Sequence, residues 1–148
     1  MVVHGKVVRL ITVFALVALL LPACRRTPDE EQVRLAVAAM VQAVEAGSAS
    51  GVGAPLSDDF DGNSGQLDRP GLVGMIRLLS LRGDHVGVVM GPLSIEPRGD
   101  RLVVSFTVTL TSGGRLLPDQ LGVYQVESGW RQEDGEWRCY TASWKRSL

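Results

Sequence analysis

Cysteine and histidine are scarce in this 148-residue chain, which contains two of each. The cysteines are Cys24 and Cys139, and His85 is the only histidine beyond the first four residues. Structural zinc sites take four cysteine or histidine ligands, and only His85 and Cys139 lie beyond residue 24, so we do not expect such a site here. The sequence also has no Gly-x-Ser-x-Gly motif, phosphate-binding loop or dinucleotide fingerprint, and we expect no cofactor.

Long hydrophobic runs are absent except near the amino terminus. Residues 10–21 are apolar apart from Thr12, and they follow a segment that carries Lys6 and Arg9 but no acid. A membrane-spanning helix needs about 20 apolar residues. A shorter run after a basic segment is typical of a secretory signal peptide. The sequence therefore predicts export, with residues 1–23 removed.

The stretch Leu21-Pro22-Ala23-Cys24 resembles the lipobox of bacterial lipoproteins. The resemblance implies cleavage before Cys24 and acylation of that residue. Residues 24–26 would then be a short lipidated tether, and residues 27–148 a single domain. Several acyl chains hold a protein stably at a membrane. Arg25 favours the periplasmic face of the outer membrane where the organism has two membranes; the alternative is an ordinary signal peptide and an unmodified cysteine.

An excess of positive charge is also missing, with 15 basic residues against 16 acidic ones. Removal of residues 1–23 takes away Lys6 and Arg9 and leaves 13 basic residues against 16 acidic ones. Nucleic-acid-binding surfaces are strongly basic, so we expect no nucleic-acid partner. With Cys24 acylated, Cys139 has no partner for an internal disulfide.

The first part of the predicted domain carries helix signals. Thr27-Pro28-Asp29-Glu30 has the pattern of a capping box and opens a helix that ends near Gly47. Its apolar residues recur at helical spacing: Val33, Val37, Met40, Val41 and Val44. A short helical turn is predicted over residues 54–60, and a loop over residues 61–65. A third helix is predicted from Asp68 or Arg69 to about Arg82, with these residues buried: Leu72, Met75, Ile76, Leu78 and Leu79.

From His85 onward the apolar residues alternate, which indicates strands. The first strand is interrupted at Gly91-Pro92, the second covers residues 102–110, and the last two form a hairpin around Asp134-Gly135. We predict a three-residue turn, because a two-residue turn would pair Arg131 with Arg138 and Glu133 with Glu136. That register puts on one face Tyr124, Val126, Trp130, Tyr140, Ala142 and Trp144. Trp137, half exposed, and Cys139 would lie on the opposite face.

The order of these elements predicts an α+β domain. Its signatures resemble the nuclear transport factor 2-like superfamily, which includes SnoaL-like polyketide cyclases and ketosteroid isomerases. The matching stretches are Asp29-Glu30-Glu31-Gln32-Val33, Leu56-Ser57-Asp58-Asp59-Phe60, Asp68-Arg69, Gly129-Trp130 and Asp134-Gly135-Glu136-Trp137. The resemblance implies a cone-shaped fold, in which two to three amino-terminal helices pack on a strongly bent four-stranded antiparallel sheet, with a pocket at the open end. Fold alone does not choose among the functions of such proteins.

The candidate pocket residues are aromatic: Phe106, Tyr124, Trp130, Tyr140 and Trp144. They would either line a ligand cavity or fill the core of a small domain. No catalytic residues are assigned, although isomerase chemistry would draw on a set of polar groups consisting of Asp58, Asp59, Tyr124, Glu127, Tyr140 and His85.

One weak metal pattern is present. Asp59, Asp61 and Asn63 match the first three ligand positions of a calcium loop, but Ser64 and Pro70 occupy the positions of its glycine and glutamate. We therefore interpret this stretch as a solvated acidic turn and expect no metal site.

Three functions remain open at this point. The first is a non-catalytic, lipid-anchored envelope protein that binds a small hydrophobic ligand or a protein partner through the pocket or the sheet face. The second is an enzyme of the SnoaL or ketosteroid-isomerase type acting on a hydrophobic small molecule. The third is a structural accessory protein that forms a homodimer through its sheet.

Overall fold

The computed structural model describes residues 28–112 and 121–147. Its helices are α1 (Asp29–Glu45), α2 (Ala49–Gly53) and α3 (Arg69–Leu81). Its strands are β1 (Leu56–Gly62), β2 (Leu67–Asp68), β3 (Val86–Met90), β4 (Ser94–Arg98), β5 (Arg101–Ser112), β6 (Gly122–Glu133) and β7 (Glu136–Arg146). None of the helices in these ranges is long and apolar enough to cross a membrane.

Helix α1 begins and ends close to the predicted positions. Pro28 directly precedes the first helical residue, and the acidic residues of the first turn face the positive end of the helix dipole. The predicted cap, Thr27, lies outside the described residues. At the other end the Ser48 amide donates to the Ala43 carbonyl at 2.8 Å and closes the helix around Gly47. Val33, Val37 and Ala43 are buried on the inner side of the helix.

Helix α3 also has the predicted bounds, but its outer side differs from the prediction. The Asp68 carboxylate accepts from the Gly71 amide at 2.8 Å and caps the first turn. Ile76 is buried, and Leu72 and Leu79 pack against the cores. Leu78 and Met75 were predicted to be buried but are exposed, because only one side of the helix lies against the domain.

The sheet is mixed and has seven strands in the described ranges, rather than four antiparallel ones. The strand order is β2-β1-β7-β6-β5-β3, and β4 also pairs with β5. The difference arises at residues 54–65, predicted as a helical turn and a loop but folded mainly as β1. This strand pairs in parallel with β7, with Leu56 opposite Cys139 and Gly62 opposite Ala142. Because the two paired strands are about eighty residues apart in the chain, no local sequence pattern indicates this pairing.

Strands β3 to β5 follow the predicted alternation. Leu102, Val104 and Val108 of β5 are buried, as expected for one inward face. The interruption at Gly91-Pro92 separates β3 from β4, which pair with successive parts of the same edge of β5. The sheet is strongly curved and does not close on itself.

The predicted hairpin register is wrong. Asp134 and Gly135 both have positive φ and form a two-residue turn, so Arg131 does pair with Arg138, and Glu133 with Glu136. The like charges are tolerated because each arginine also contacts a carboxylate on its own strand: Arg131 binds Glu133 at 2.8 Å and Arg138 binds Glu136 at 2.7 Å.

A bulge further along the hairpin changes which side chains face the core. Trp130 pairs with Cys139 and Gly129 pairs with Thr141, so Tyr140 is the extra residue. Cys139 is consequently buried in the core. Trp137 lies on the same face of β7 as Cys139 and packs against this core. Both were predicted on the other face.

Candidate functional site

A cavity of about 430 Å³ lies between the helices and the concave face of the sheet. The helices contribute residues such as Met40, Leu72 and Met75, and the sheet contributes Phe60, Val108 and Ala142 among others. Cavities that bind small molecules have volumes of roughly 300–1,000 Å³ and mostly apolar walls. The size and composition of this cavity are therefore those of a small-molecule site.

The polar groups in the wall are few and largely paired with one another. The Trp130 Nε1 atom donates to the Ser128 Oγ atom at 3.0 Å, and the Ser128 hydroxyl donates to the Val104 carbonyl at 3.4 Å. A hydroxyl has two acceptor positions, so Ser128 can still accept one further bond. In the described ranges no buried side-chain nitrogen or oxygen lacks a partner. The wall is therefore apolar, with one buried hydroxyl.

Four of the five aromatic residues singled out from the sequence come together here. Phe106, Tyr124, Trp130 and Trp144 line the cavity. Tyr140 does not, because the bulge turns it to the outer face of the sheet. There its ring lies close to two guanidinium groups, with the Cζ atoms of Arg101 and Arg131 at 4.7 and 5.1 Å from the ring centroid.

Solved structures share this arrangement. A nuclear transport factor 2-like protein from Cytophaga hutchinsonii matches 81% of this chain and 99% of its own, with 16% identity and a TM-score of 0.65. One of unknown function from Pseudomonas putida matches 78% of this chain and 84% of its own, with 18% identity and a TM-score of 0.64. The chain has the nuclear transport factor 2-like fold. No protein-family model and no curated protein matches the sequence.

In this nuclear transport factor 2-like fold the candidate carboxylates and the candidate imidazole lie away from the cavity, and of the candidate catalytic groups only Tyr124 lines it. Asp58, Asp59, Glu127 and His85 are exposed, and none of them lines the wall. Asp59 instead forms an ion pair with the Arg131 guanidinium at 2.6 Å. A general base has to reach the proton that it removes. The described wall therefore offers no carboxylate or imidazole for ketosteroid-isomerase chemistry.

The weak calcium pattern has a structural role in this fold. Asp61 accepts from the Gly65 amide at 2.6 Å, and Asn63 accepts from the Trp144 amide at 2.8 Å. With Asp59 held by Arg131, each of the three side chains has its own partner. Among the described residues no cluster of three potential metal ligands occurs.

Burial makes the thiol of Cys139 unreactive. It is 4% exposed, and its Sγ atom lies 3.3 Å from the Thr141 carbonyl. Burial raises the pKa of the Cys139 thiol to about 12. A thiol in this state is not a nucleophile near neutral pH, so Cys139 serves as a small apolar wall residue.

A charged cluster on the outer face joins β1 to the hairpin. The Ser57 hydroxyl donates to the Glu133 carboxylate, and Arg131 bridges Glu133 and Asp59. The hydrogen bond from Ser57, together with the bond and charge of Arg131, lowers the pKa of Glu133. The cluster supplies polar contacts between β1 and β6, which are not neighbouring strands.

This cluster should make the fold sensitive to acid. Because the pKa of Glu133 is lower in the folded protein, its contribution to stability is complete above the ordinary value of 4.5 and declines as pH falls through the folded value. The Glu133→Gln variant should therefore show a smaller loss of unfolding free energy between pH 6 and pH 3 in urea titrations. The matched control is Glu127→Gln, an exposed position on the same strand. Equal acid sensitivity of all three proteins would contradict the prediction.

Proposed function

We propose that this protein is a lipid-anchored, non-catalytic component of the cell envelope that binds a small hydrophobic molecule in the cavity under its sheet. The observation that carries the proposal is the open cavity of about 430 Å³ with an almost entirely apolar wall. Protein interiors are normally packed to crystal density, so an empty cavity of this size lowers the stability of a small domain. A bound ligand that fills the cavity would restore the missing contacts.

The wall indicates the chemistry of the ligand. Burial of apolar surface contributes about 25 cal/mol per Å², so a ligand that buries about 300 Å² gains roughly 7.5 kcal/mol before the cost of association. The Ser128 hydroxyl can accept one bond from a donor on the ligand. We therefore expect a largely hydrocarbon molecule with at most a few polar atoms and no charge inside the cavity.

A binding role needs only this wall, whereas the alternative enzymatic role needs a base beside the ligand. An isomerase of the ketosteroid type combines a carboxylate base with hydrogen-bond donors for the oxyanion. The described wall contains Tyr124 but no carboxylate. This favours binding over turnover.

The test is a cavity-filling variant. Ala142 lines the cavity, and the next residue, Ser143, is exposed. Ala142→Phe should lower the fraction of protein that carries a bound small molecule by about tenfold or more, because the new ring occupies the space of the ligand. Native mass spectrometry of the protein purified from its own membrane measures that fraction. Ser143→Phe, the matched control, should keep the occupancy of the unaltered protein.

Two outcomes would overturn the proposal. One is an unaltered protein that carries no small molecule after native purification. The other is equal occupancy in the Ala142→Phe and Ser143→Phe variants, which would place the ligand outside the cavity. Recovery of a chemically converted compound would support the enzymatic alternative instead.

A further inference from the structure

Helix α3 has an apolar side that faces away from the domain. Met75, Leu78 and Leu81 are 38%, 47% and 80% exposed. Residues three apart lie on the same side of a helix, so these three form one stripe, opposite the buried Ile76. Large exposed apolar side chains that adjoin one another mark interaction surfaces.

The outer side of α3 also carries positive charge. Arg77 and Arg82 are exposed and flank the stripe, one on each side at helical spacing. Neither forms an ion pair with the side chains that the structure describes. Residues 69–83 include no acid; the flanking acids are Asp68, whose carboxylate accepts from the Gly71 amide, and Asp84, which is half-buried. The remaining arginine, Arg69, donates to the Gly53 carbonyl at 3.2 Å and forms an ion pair with Asp58 at 3.5 Å.

We propose that this side of α3 docks on the surface of an anionic lipid bilayer. Apolar residues that enter the boundary between headgroups and acyl chains, with arginines at the level of the headgroups, are the pattern of an interfacial helix. Each arginine near an anionic surface strengthens binding by about fivefold. The predicted anchor at Cys24 would keep the domain within reach of such a surface.

Charge decides between a bilayer and a second copy of the chain. Two α3 helices that met through their outer sides would bring two exposed arginines of each copy into one interface, with no acid on the outer side of either helix to neutralise them. An anionic bilayer neutralises both arginines. The surface therefore fits lipid better than self-association.

The docking surface is continuous with the cavity. Met75 belongs to the exposed stripe and also lines the cavity, together with Leu72 and Leu79 of the same helix. A bilayer that contacts the stripe would thus lie beside the cavity wall. The inference goes beyond the proposed binding function and does not require that the cavity hold a ligand.

A lipid-quenching experiment tests the proposal on the full chain. A fluorescent probe attached to Leu81→Cys is compared with the same probe on Glu127→Cys, an exposed position on β6. The vesicles are phosphatidylcholine with or without phosphatidylglycerol, and all contain nitroxide-labelled lipid. Emission at residue 81 should fall by about twofold or more in the anionic vesicles, since an interfacial helix lies about 5–10 Å into the boundary. Emission at residue 127 should stay unchanged.

A double variant of the two arginines provides the second part of the test. In the Arg77→Gln/Arg82→Gln double variant, the quenching at residue 81 should be lost in the same vesicles, while the far-ultraviolet circular dichroism stays that of the parent. Equal emission from the two probe positions in anionic vesicles would overturn the proposal. So would quenching at residue 81 that the double variant leaves intact. A doubled mass in sedimentation without any quenching would also overturn it, in favour of self-association.

Discussion

Replacing Trp130 with alanine should lower the free energy of unfolding by about 3–5 kcal/mol. Trp130 is 2% exposed and has Leu102 and Cys139 as its cross-strand neighbours on β5 and β7. Its removal deletes one of the largest buried side chains and joins the lost volume to the existing cavity. The cost lies at the high end for a single substitution because rigid strands on both sides cannot close the gap.

The matched control is the other tryptophan that packs on this core from the hairpin. Trp137 is only partly buried, and its Nε1 atom donates to the exposed carboxylate of Asp29 at 3.1 Å. Trp137→Ala should therefore cost less, about 1–2 kcal/mol. Urea-induced unfolding followed by circular dichroism measures both values. Equal losses in the two variants would show that Trp130 is not the central packing residue of the sheet.

Replacing Cys24 with alanine should move the protein from the membrane fraction to the soluble fraction. The expectation rests on the lipobox resemblance at residues 21–24, which lie outside the described residues. Stable attachment requires more than one acyl chain, and the variant would carry none. Fractionation of cells followed by immunoblotting measures the redistribution. Intact-mass analysis of the unaltered protein should show loss of residues 1–23 and added acyl mass on residue 24.

Cys139→Ala is the control for a general effect of losing a thiol. The Cys139 side chain is buried and is not available for acylation, so this variant should fractionate like the unaltered protein. An unchanged membrane fraction in Cys24→Ala, together with an unacylated residue 24 in the unaltered protein, would refute the anchor.

Local signals were sufficient for the long helices and for the central strand. The start of α3 at Asp68 or Arg69 and the alternation along β5 arise from neighbours in sequence, and the structure confirms both. The nuclear transport factor 2-like fold, implied by the order of these elements, is confirmed as well. The helices and the central strand depend on contacts that a short stretch of chain makes with itself or with one buried face.

Pairing between distant segments was not predictable in the same way. A helical turn was predicted over residues 54–60, but Leu56 and Phe60 belong to a strand that is fixed by pairing with β7. The prediction of the hairpin register was wrong for a related reason. The arginine pair was judged unfavourable, but in the folded chain Arg131 is neutralised by Glu133 on its own strand and by Asp59, which lies far away in sequence.

The candidate site was predictable in composition but not in shape. Alternation along β5 and β6 placed Phe106 and Tyr124 on the inner face, and both line the cavity. Tyr140 was misplaced because a single bulge residue reverses the faces of a strand. Whether aromatic side chains fill a cone or line an empty one depends on the separation of helix and sheet, which no sequence pattern reports.

The apolar wall has a consequence for how the cavity would be loaded and emptied. In its described part no carboxylate, amine or imidazole faces the interior. Ordinary changes of acidity between about pH 5 and pH 8 act mainly through histidine, so they would leave the affinity of the cavity unchanged. Occupancy would follow only the supply of the hydrophobic molecule. Such a protein would act as a passive reservoir, filled when its ligand is abundant and drained when the ligand is withdrawn.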